Sequence, residues 1–309
     1  MVLPAVTLWF SLIFDRFIGD PPNRYHPVAW VGRFIGWWGR PSLYSKKWQR
    51  SAGVVLSLCT ALLFSGIFLI IQSVIITLFG NYTFITVLVT AFLLSFCIGW
   101  RSLEEHVARV RDGLMRSETE GKAQVQMLVS RNTGDLSEEE VLSAAYESMA
   151  ENLVDSIISP LFFFSLFGIF GAAFFRAYNT MDAMLGYKDE RRRIGWFPAR
   201  MDDLLNYIPA RLTGVLLLFW FATQGRFSQA WNAFCLDRKQ RPGINGGIPM
   251  AIIAGGTGVQ FQKRGVYTIG PGERTLAEAG MDIQTAVRAV TLLFALLYTA
   301  LLLLFMVLF

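Results

Sequence analysis

Residues 157–175 read IISPLFFFSLFGIFGAAFF, and how this run sits in lipid decides the fold. Its length is close to the ~20 apolar residues that a helix needs to cross a bilayer. Yet it holds Pro160, Gly168 and Gly171, residue types that suit a broken helix. Asn179–Gly214 follows as NTMDAMLGYKDERRRIGWFPARMDDLLNYIPARLTG, with five acidic residues, five arginines and one lysine. The next apolar run is Ile208–Thr223. If both runs crossed fully, this charged stretch would lie on the opposite side from the polar stretches before and after it.

Further out, Val2–Phe14, Ala52–Phe79, Phe84–Trp100 and Ala286–Phe309 are also apolar, in a 309-residue chain that is 53% hydrophobic. Its mean hydropathy is +0.43. Such runs mark a polytopic membrane protein. Val2–Phe14 has no basic segment before it and no small-residue cleavage site, so it reads as an uncleaved anchor. Four polar stretches, Asp15–Ser51, Arg101–Ser156, Arg176–Tyr207 and Gln224–Thr285, each carry several Lys and Arg, whereas the turn Gly80-Asn81-Tyr82 carries no charge. The positive-inside rule places all four in the cytoplasm. Irregular backbone at membrane depth is tolerated where it is buried in protein or lines a cavity. The fold expected is therefore all-α and polytopic, with about four full crossings plus re-entrant or buried helices at Ile157–Phe175 and Ile208–Thr223. Polar loops and helices lie on the cytoplasmic side of a single membrane-embedded domain, 1–309.

The net charge of +5 reflects these loops, and no nucleic-acid motif accompanies it. Cys59, Cys97 and Cys235 form no CxxC, and His26 and His106 are the only histidines, so neither a zinc site nor a His-based metal cluster is indicated. There is no GxxxxGK[ST], GxSxG or HExxH.

Three polar constellations remain. Ser137-Glu138-Glu139-Glu140 has the form of a capping box, predicting a helix from there through Ala144, Met149 and Val154 into the apolar run. On it Glu147, Glu151 and Asp155 recur every four residues along one stripe, with Ser148 and Asn152 beside them. No basic residue lies between Arg131 and Arg176, so this stripe needs a cation from elsewhere: a metal, a basic substrate group or distant arginines. In the second constellation, Asn179 and Asp182 precede Asp202, Asp203 and Asn206, which share a helix face. Hard oxygen donors of this kind suit Mg²⁺, and Arg200 and Arg211 can clamp phosphate oxygens. Arg191–Arg193 read as a topology signal. The third is DRFIGDPPNRYHPVAWVGRFIGWWGR, an ordered loop at the membrane surface with Asp20 and His26, extended by Pro21-Pro22 and His26-Pro27. Gly225–Gly247 reads as a short amphipathic helix and a Gly/Pro loop, and Gly255-Gly256-Thr257-Gly258 as a flexible turn.

The motifs GDPPNRYHPVAWVGRFI, SRNTGDLSEEEV, ESMAENLVDSIISPLFF, YNTMDAMLGYKDER, GWFPARMDDLLNYIPARLT and NGGIPMAIIAGGTGV occur in that order. With them the chain resembles the cobinamide-phosphate synthase family of cobalamin biosynthesis, from Asp15 to about Tyr267. One departure is Gly243-Ile244-Asn245-Gly246-Gly247, where that family has Ser-Pro-Asn-x-Gly; it bears on substrate preference more than on the reaction. The resemblance implies a cell-membrane ligase that joins a carboxylate of adenosylcobyric acid, a corrinoid, to an amino-alcohol or its phosphate, using ATP and Mg²⁺. It further implies an active-site cavity formed mainly by 15–40, 130–160, 176–214 and 241–260. Its candidate catalytic residues are Glu147, Glu151, Asp155 and Asp182, with Glu151 taking the proton of the attacking amine. Asp20, His26, Asn152, Asn179, Lys188, Arg200, Arg211 and Asn245 are its candidate substrate-binding residues. Asp202, Asp203 and Asn206 are its candidate metal ligands. Homo-oligomeric assembly is left open. Two other classes compete: a Mg²⁺-dependent membrane prenyltransferase, for which NTMD and DDLLN would be loose diphosphate motifs, and a transporter or sensor, in which intramembrane charge marks an ion path.

Overall fold

The computed structural model describes residues 2–80, 84–129 and 132–308. The predicted turn at Gly80-Asn81-Tyr82 therefore lies partly, and Ser130-Arg131 of the SRNTG motif wholly, outside the described residues. The helices are α1 (Leu3–Phe17), α2 (Pro27–Trp38), α3 (Gln49–Phe79), α4 (Phe84–Ser95), α5 (Trp100–Arg116), α6 (Glu118–Gln126) and α7 (Glu138–Leu153). After them come α8 (Ser159–Leu185), α9 (Trp196–Leu205), α10 (Tyr207–Thr223), α11 (Phe227–Asp237), α12 (Gly247–Thr257) and α13 (Leu276–Leu308). A π-turn, Val154–Ile158, joins α7 to α8, and a small antiparallel ribbon pairs β1 (Phe261–Lys263) with β2 (Tyr267–Ile269). The fold is all-α and polytopic. Among the described residues, five helical stretches are long and apolar enough to cross a membrane: Gln49–Phe79, Phe84–Arg116, Glu138–Leu185, Trp196–Thr223 and Leu276–Leu308.

This set differs from the expected one in two places. The Val2–Phe14 run yields a helix of only 15 residues, about 22 Å at 1.5 Å per residue. Ile208–Thr223 was expected to be partial, but it belongs to the 28-residue stretch Trp196–Thr223. Pro209 falls in the first turn of α10, where its missing N–H breaks nothing.

The chain gathers into two compact units. The first comprises Met1–Gly99, Ser159–Asn206 and Ala295–Phe309. Here α1 and α4 run parallel, since Phe10 meets Phe84 at 5.8 Å and Phe14 meets Phe92 at 6.1 Å between ring centroids. Between them in sequence, α3 runs the other way and donates from Gln72 to Thr90 at 3.2 Å. The decisive run, in α8, folds back on itself. Gly168 has φ 62° and ψ −153°, a conformation open essentially to glycine alone. Phe163 and Phe175 stack at 5.5 Å between centroids, whereas twelve residues of continuous helix would separate them by about 18 Å. A side chain at Gly171 would strike the carbonyl of Phe163. Ser159–Phe167 is thus a short arm of about 13 Å, less than half the ~30 Å hydrocarbon core. The Glu138–Leu185 stretch accordingly contains a re-entrant hairpin rather than a straight rod, as its Gly and Pro content predicted. The tip at Gly168 shares a cavity with Thr7, Gln72 and Thr86. At its base Ser159 bonds Asn206, while Gly53 packs against the Ile194 carbonyl. The charged segment after α8 therefore lies at the base end of this unit.

The second unit comprises Trp100–Ile158 and Tyr207–Phe294. The predicted capping box is present: Ser137 Oγ accepts from the Glu140 N–H at 3.3 Å, and Glu140 accepts from the Ser137 N–H at 2.8 Å. Glu139 accepts from the Leu276 N–H at 2.9 Å, tying the start of α7 to that of α13. Glu104, which is buried, accepts two bonds from Arg288 at 2.8 and 2.6 Å, joining α5 to α13. The Phe227–Asp237 helix and the loop after it match expectation. The predicted turn at Gly255-Gly256-Thr257 does not. These residues end the wholly buried α12, because side chains at Gly255 and Gly256 would strike α11 at Gln229 and Ala233 and the ring of Phe221. Only Gly258 leaves the helix, with φ 79°.

Candidate functional site

In the second unit, the polar face of α7 borders a cavity of about 370 Å³, together with Arg241, Lys263 and Tyr267. This volume falls within the range of small-ligand sites. Glu147 is buried, and both of its carboxylate oxygens are taken: Oε1 accepts from Ser143 Oγ at 2.6 Å and Oε2 from Tyr267 OH at 2.6 Å. Burial and the adjoining Glu147 carboxylate push the Tyr267 phenol above its usual range, so it stays protonated and keeps donating. Ser143 Oγ also accepts from the Gln262 N–H at 2.7 Å, so α7 and the ribbon hold one another through Glu147. One turn on, Glu151 pairs with the Arg241 guanidinium. Asn152 turns back to its own helix, donating to the Ser148 carbonyl at 2.9 Å and accepting from Ser156 at 2.9 Å.

Asp155 does not line this cavity. The expected stripe stops at Glu151 because Asp155 lies in the π-turn, whose wider turn breaks the four-residue register. Arg211 and Asn245 do come together. Arg211 stacks 3.5 Å above the Tyr207 ring and donates to Asn245 Oδ1 at 2.8 Å and to the Ile244 carbonyl at 3.2 Å. The Gly246-Gly247 pair permits close packing here, since a side chain at Gly246 would strike the Arg241 guanidinium and one at Gly247 the Arg238 carbonyl.

The first unit holds the second acidic group. Asp202 is buried, and Asn206 is 1% exposed. Asn206 Nδ2 donates to Asp202 Oδ2 at 3.0 Å, Asn179 Nδ2 donates to Asp202 Oδ1 at 3.4 Å, and Arg176 donates to Asn179 Oδ1 at 3.2 Å. Ser159 Oγ donates to Asn206 Oδ1 at 2.5 Å. Asp182, on the same helix as Asn179, lies within electrostatic reach of Asp202. Asp203 points elsewhere, half-exposed and 3.9 Å from Arg200, whose side chain is 70% exposed. Adjacent residues on a helix point about 100° apart, so Asp202 and Asp203 cannot both face the cluster.

Lys188 is exposed in the loop after α8. Nearby, Arg191 bonds Asp189 and stacks 4.1 Å from the Tyr187 ring, and this contact holds the exposed Asp189 carboxyl down at about 2. His26 Nε2 lies 3.1 Å from Asp20, and His26 Nδ1 accepts from the Val28 N–H at 3.1 Å. His26 is thus the N-cap of α2, a 12-residue helix within the stretch expected to be loop. Pro27 is the first residue of that helix, where proline is favoured, and His26 before it is extended as expected, at φ −75° and ψ 122°.

Arg241, Lys263 and Tyr267 were not among the expected site residues. Arg241 opens the 241–260 segment expected to form part of the cavity, Arg241 and Lys263 stand in basic tracts, RKQR and QKR, whose charge already had an explanation in topology, and Tyr267 gave no signal. Among the described residues, no three His, Cys, Asp or Glu side chains converge as a ready-made metal cage.

The sequence model of the CobD/Cbib protein family matches residues 8–293 of the chain. A probable cobalamin biosynthesis protein CobD of Methanothermobacter thermautotrophicus is 38% identical over 265 residues, covering 85% of this chain and 86% of its own. The protein of that name from Methanococcus maripaludis is 35% identical over 97% of this chain and 100% of its own. That from Thermococcus kodakarensis is 38% identical over 92% and 90%. No solved structure matches the chain.

Proposed function

Because the chain belongs to the CobD/Cbib family, we propose that it acts in cobalamin biosynthesis as an adenosylcobinamide-phosphate synthase. In this reading a carboxylate of adenosylcobyric acid is activated by ATP as an acyl phosphate, with release of ADP. The amine of an amino-alcohol, or of its phosphate, attacks the acyl carbon, and inorganic phosphate leaves as the amide forms. The observation that carries the reading is the cavity of the second unit, where a carboxylate, Glu151, stands beside the cations Arg241 and Lys263. Glu151 accepts the proton that the amine loses. Glu147 is spoken for by two hydroxyls, and its role is to fix Tyr267 and the ribbon.

The first unit offers donors that fit Mg²⁺. Asp202 is buried with only amide N–H partners and, among the described residues, no basic side chain in ion-pair range. A buried carboxylate near a second one, Asp182, is costly without a cation. Mg²⁺ characteristically takes one or two carboxylates and completes its shell with water and phosphate oxygens, so the lack of a three-carboxylate cage is compatible with it. Asp202 with Asn206, Asn179 and Asp182 would hold the ion, whose charge would neutralise phosphate oxygens.

We further propose that the protein lies in the cytoplasmic membrane with its polar stretches inside. Impermeant thiol reagents should then label Lys188→Cys and Lys263→Cys, each in a background without Cys59, Cys97 and Cys235, only in inverted vesicles. Labelling from the outside of intact cells would reverse the topology. The reaction itself is tested with purified protein, a corrinoid acid, ATP, Mg²⁺ and candidate amines, read by mass spectrometry. A mass gain matching the amide, dependent on ATP and abolished by EDTA, is expected. No amide with any amine, or equal yield without nucleotide, would overturn the reading.

A further inference from the structure

Among the described residues, the cavity of the second unit holds the Arg241–Glu151 ion pair, the buried Glu147 and one cation, Lys263, without an ion-pair partner. Lys263 lines it and makes no ion pair among the described residues. Arg241 is paired with Glu151 and leans on the backbone of Gly246, and its Nη1 also donates to the Pro242 carbonyl at 2.8 Å. Glu147 keeps its charge, but both of its oxygens are taken by hydroxyl donors, whereas Glu151 holds the Arg241 guanidinium itself. Glu151 is therefore the one carboxylate whose partner a ligand could take over. A guanidinium fork and an ammonium on the walls of one small cavity together make an anion site.

We propose that Arg241 and Lys263 bind a phosphomonoester, and that the phosphate displaces Glu151 from Arg241. Charge decides which partner Arg241 keeps: a phosphomonoester carries about −1.5 to −2 at pH 7, against −1 for the Glu151 carboxylate. The same argument disfavours a lipid phosphodiester, which carries a single charge. Once released, Glu151 is a carboxylate free to accept a proton beside the bound ligand. Filling the site and readying the base thus become one event, and the amine is not deprotonated before its partner group is seated. The identity of the ligand as an amino-alcohol phosphate rests on the synthase reading; the exchange of partners at Arg241 does not.

The test is inorganic phosphate binding to the full chain in phosphatidylcholine nanodiscs, measured by calorimetry. Lys263→Met and Arg241→Met should each weaken binding roughly tenfold or more, the loss of a charge-assisted contact. Glu151→Gln should tighten it by about threefold or more, because the internal competitor for Arg241 is gone. A merely structural ion pair would give the opposite sign for Glu151→Gln. Unchanged or weaker phosphate binding in Glu151→Gln overturns the exchange. Unchanged binding in Lys263→Met overturns the site, and because that side chain has no ion partner its removal leaves the fold intact. If nanodiscs containing phosphatidylglycerol abolish phosphate binding, the site belongs to lipid headgroups and the proposal falls. Amide synthesis without this pattern removes only the exchange, and the pattern without amide synthesis removes only the synthase.

Discussion

Two acidic groups, one in each unit, solve the same electrostatic problem in different ways. In the second unit, the carboxylates of Glu147 and Glu151 are satisfied by two hydroxyls and a guanidinium. In the first, Asp202 is satisfied by the side-chain amides of Asn179 and Asn206 alone. Amide donors bring no charge of their own, so in the proposed reading Mg²⁺ supplies the charge opposite Asp202. In the cavity of the second unit Arg241 and Lys263 stand against Glu147 and Glu151, so the proposed anion site depends on Glu151 giving up Arg241. The proposed ligands differ accordingly: a cation where the neighbours are neutral amides, and an anion where a guanidinium can exchange partners.

The widest separation between the groups is expected from Glu151→Gln. Turnover should fall by about 10²–10⁴-fold, the range of general-base catalysis, while the Mg²⁺ concentration for half-activity stays where it is. An equal shift in Mg²⁺ requirement would erase the contrast. Asp202→Asn should cost about 10–100-fold in turnover and raise the Mg²⁺ requirement, read by activity across a Mg²⁺ titration. If Mg²⁺ dependence is unaltered, the buried aspartate is structural.

Gly168→Ala removes neither group. It should lower stability by about 1–3 kcal/mol in a thermal or denaturant melt, because alanine is strained at φ 62°, ψ −153°. Tyr267→Phe should cost about 1.5–3 kcal/mol by leaving one Glu147 oxygen unbonded, with a smaller drop in turnover than Glu151→Gln. A larger drop would make the phenol a participant rather than a prop. The smallest effect is expected from Arg200→Lys. Arg200 is 70% exposed and lies 3.9 Å from Asp203, so its replacement should change the apparent affinity for a phosphate-bearing substrate by less than about threefold. A tenfold loss would bring Arg200 into the site.

What could be read from the sequence was local. The capping box at Ser137 and the break at Gly168 depend on residues a few positions apart, and both are present. The helix after Pro27 was missed because a proline marks both the end of one conformation and the start of a helix, and only the His26 cap distinguishes the two. The stripe of Glu147, Glu151 and Asp155 was right for its first two members; the π-turn that detaches the third leaves no pattern in composition. Asp202 and Asp203 could be paired with a helix face but not ranked, because which of two neighbours is buried depends on what packs against the helix. The cations of the cavity were hidden for a different reason. Arg241 meets Glu151 across 90 residues of chain, and Arg264 meets Glu140 across 124, distances over which no periodicity carries information.

The reversal at Gly168 bears on how the chain is made. A straight helix through Ile157–Phe175 would have obliged the insertion machinery to export Arg176, Lys188, Arg191, Arg192, Arg193 and Arg200. With the turn halfway, the chain returns to the end of the unit from which it set out, where Ser159 bonds Asn206. One glycine with positive φ thus brings the segment that carries Lys188 and Arg191–Arg193 back to the base of its unit.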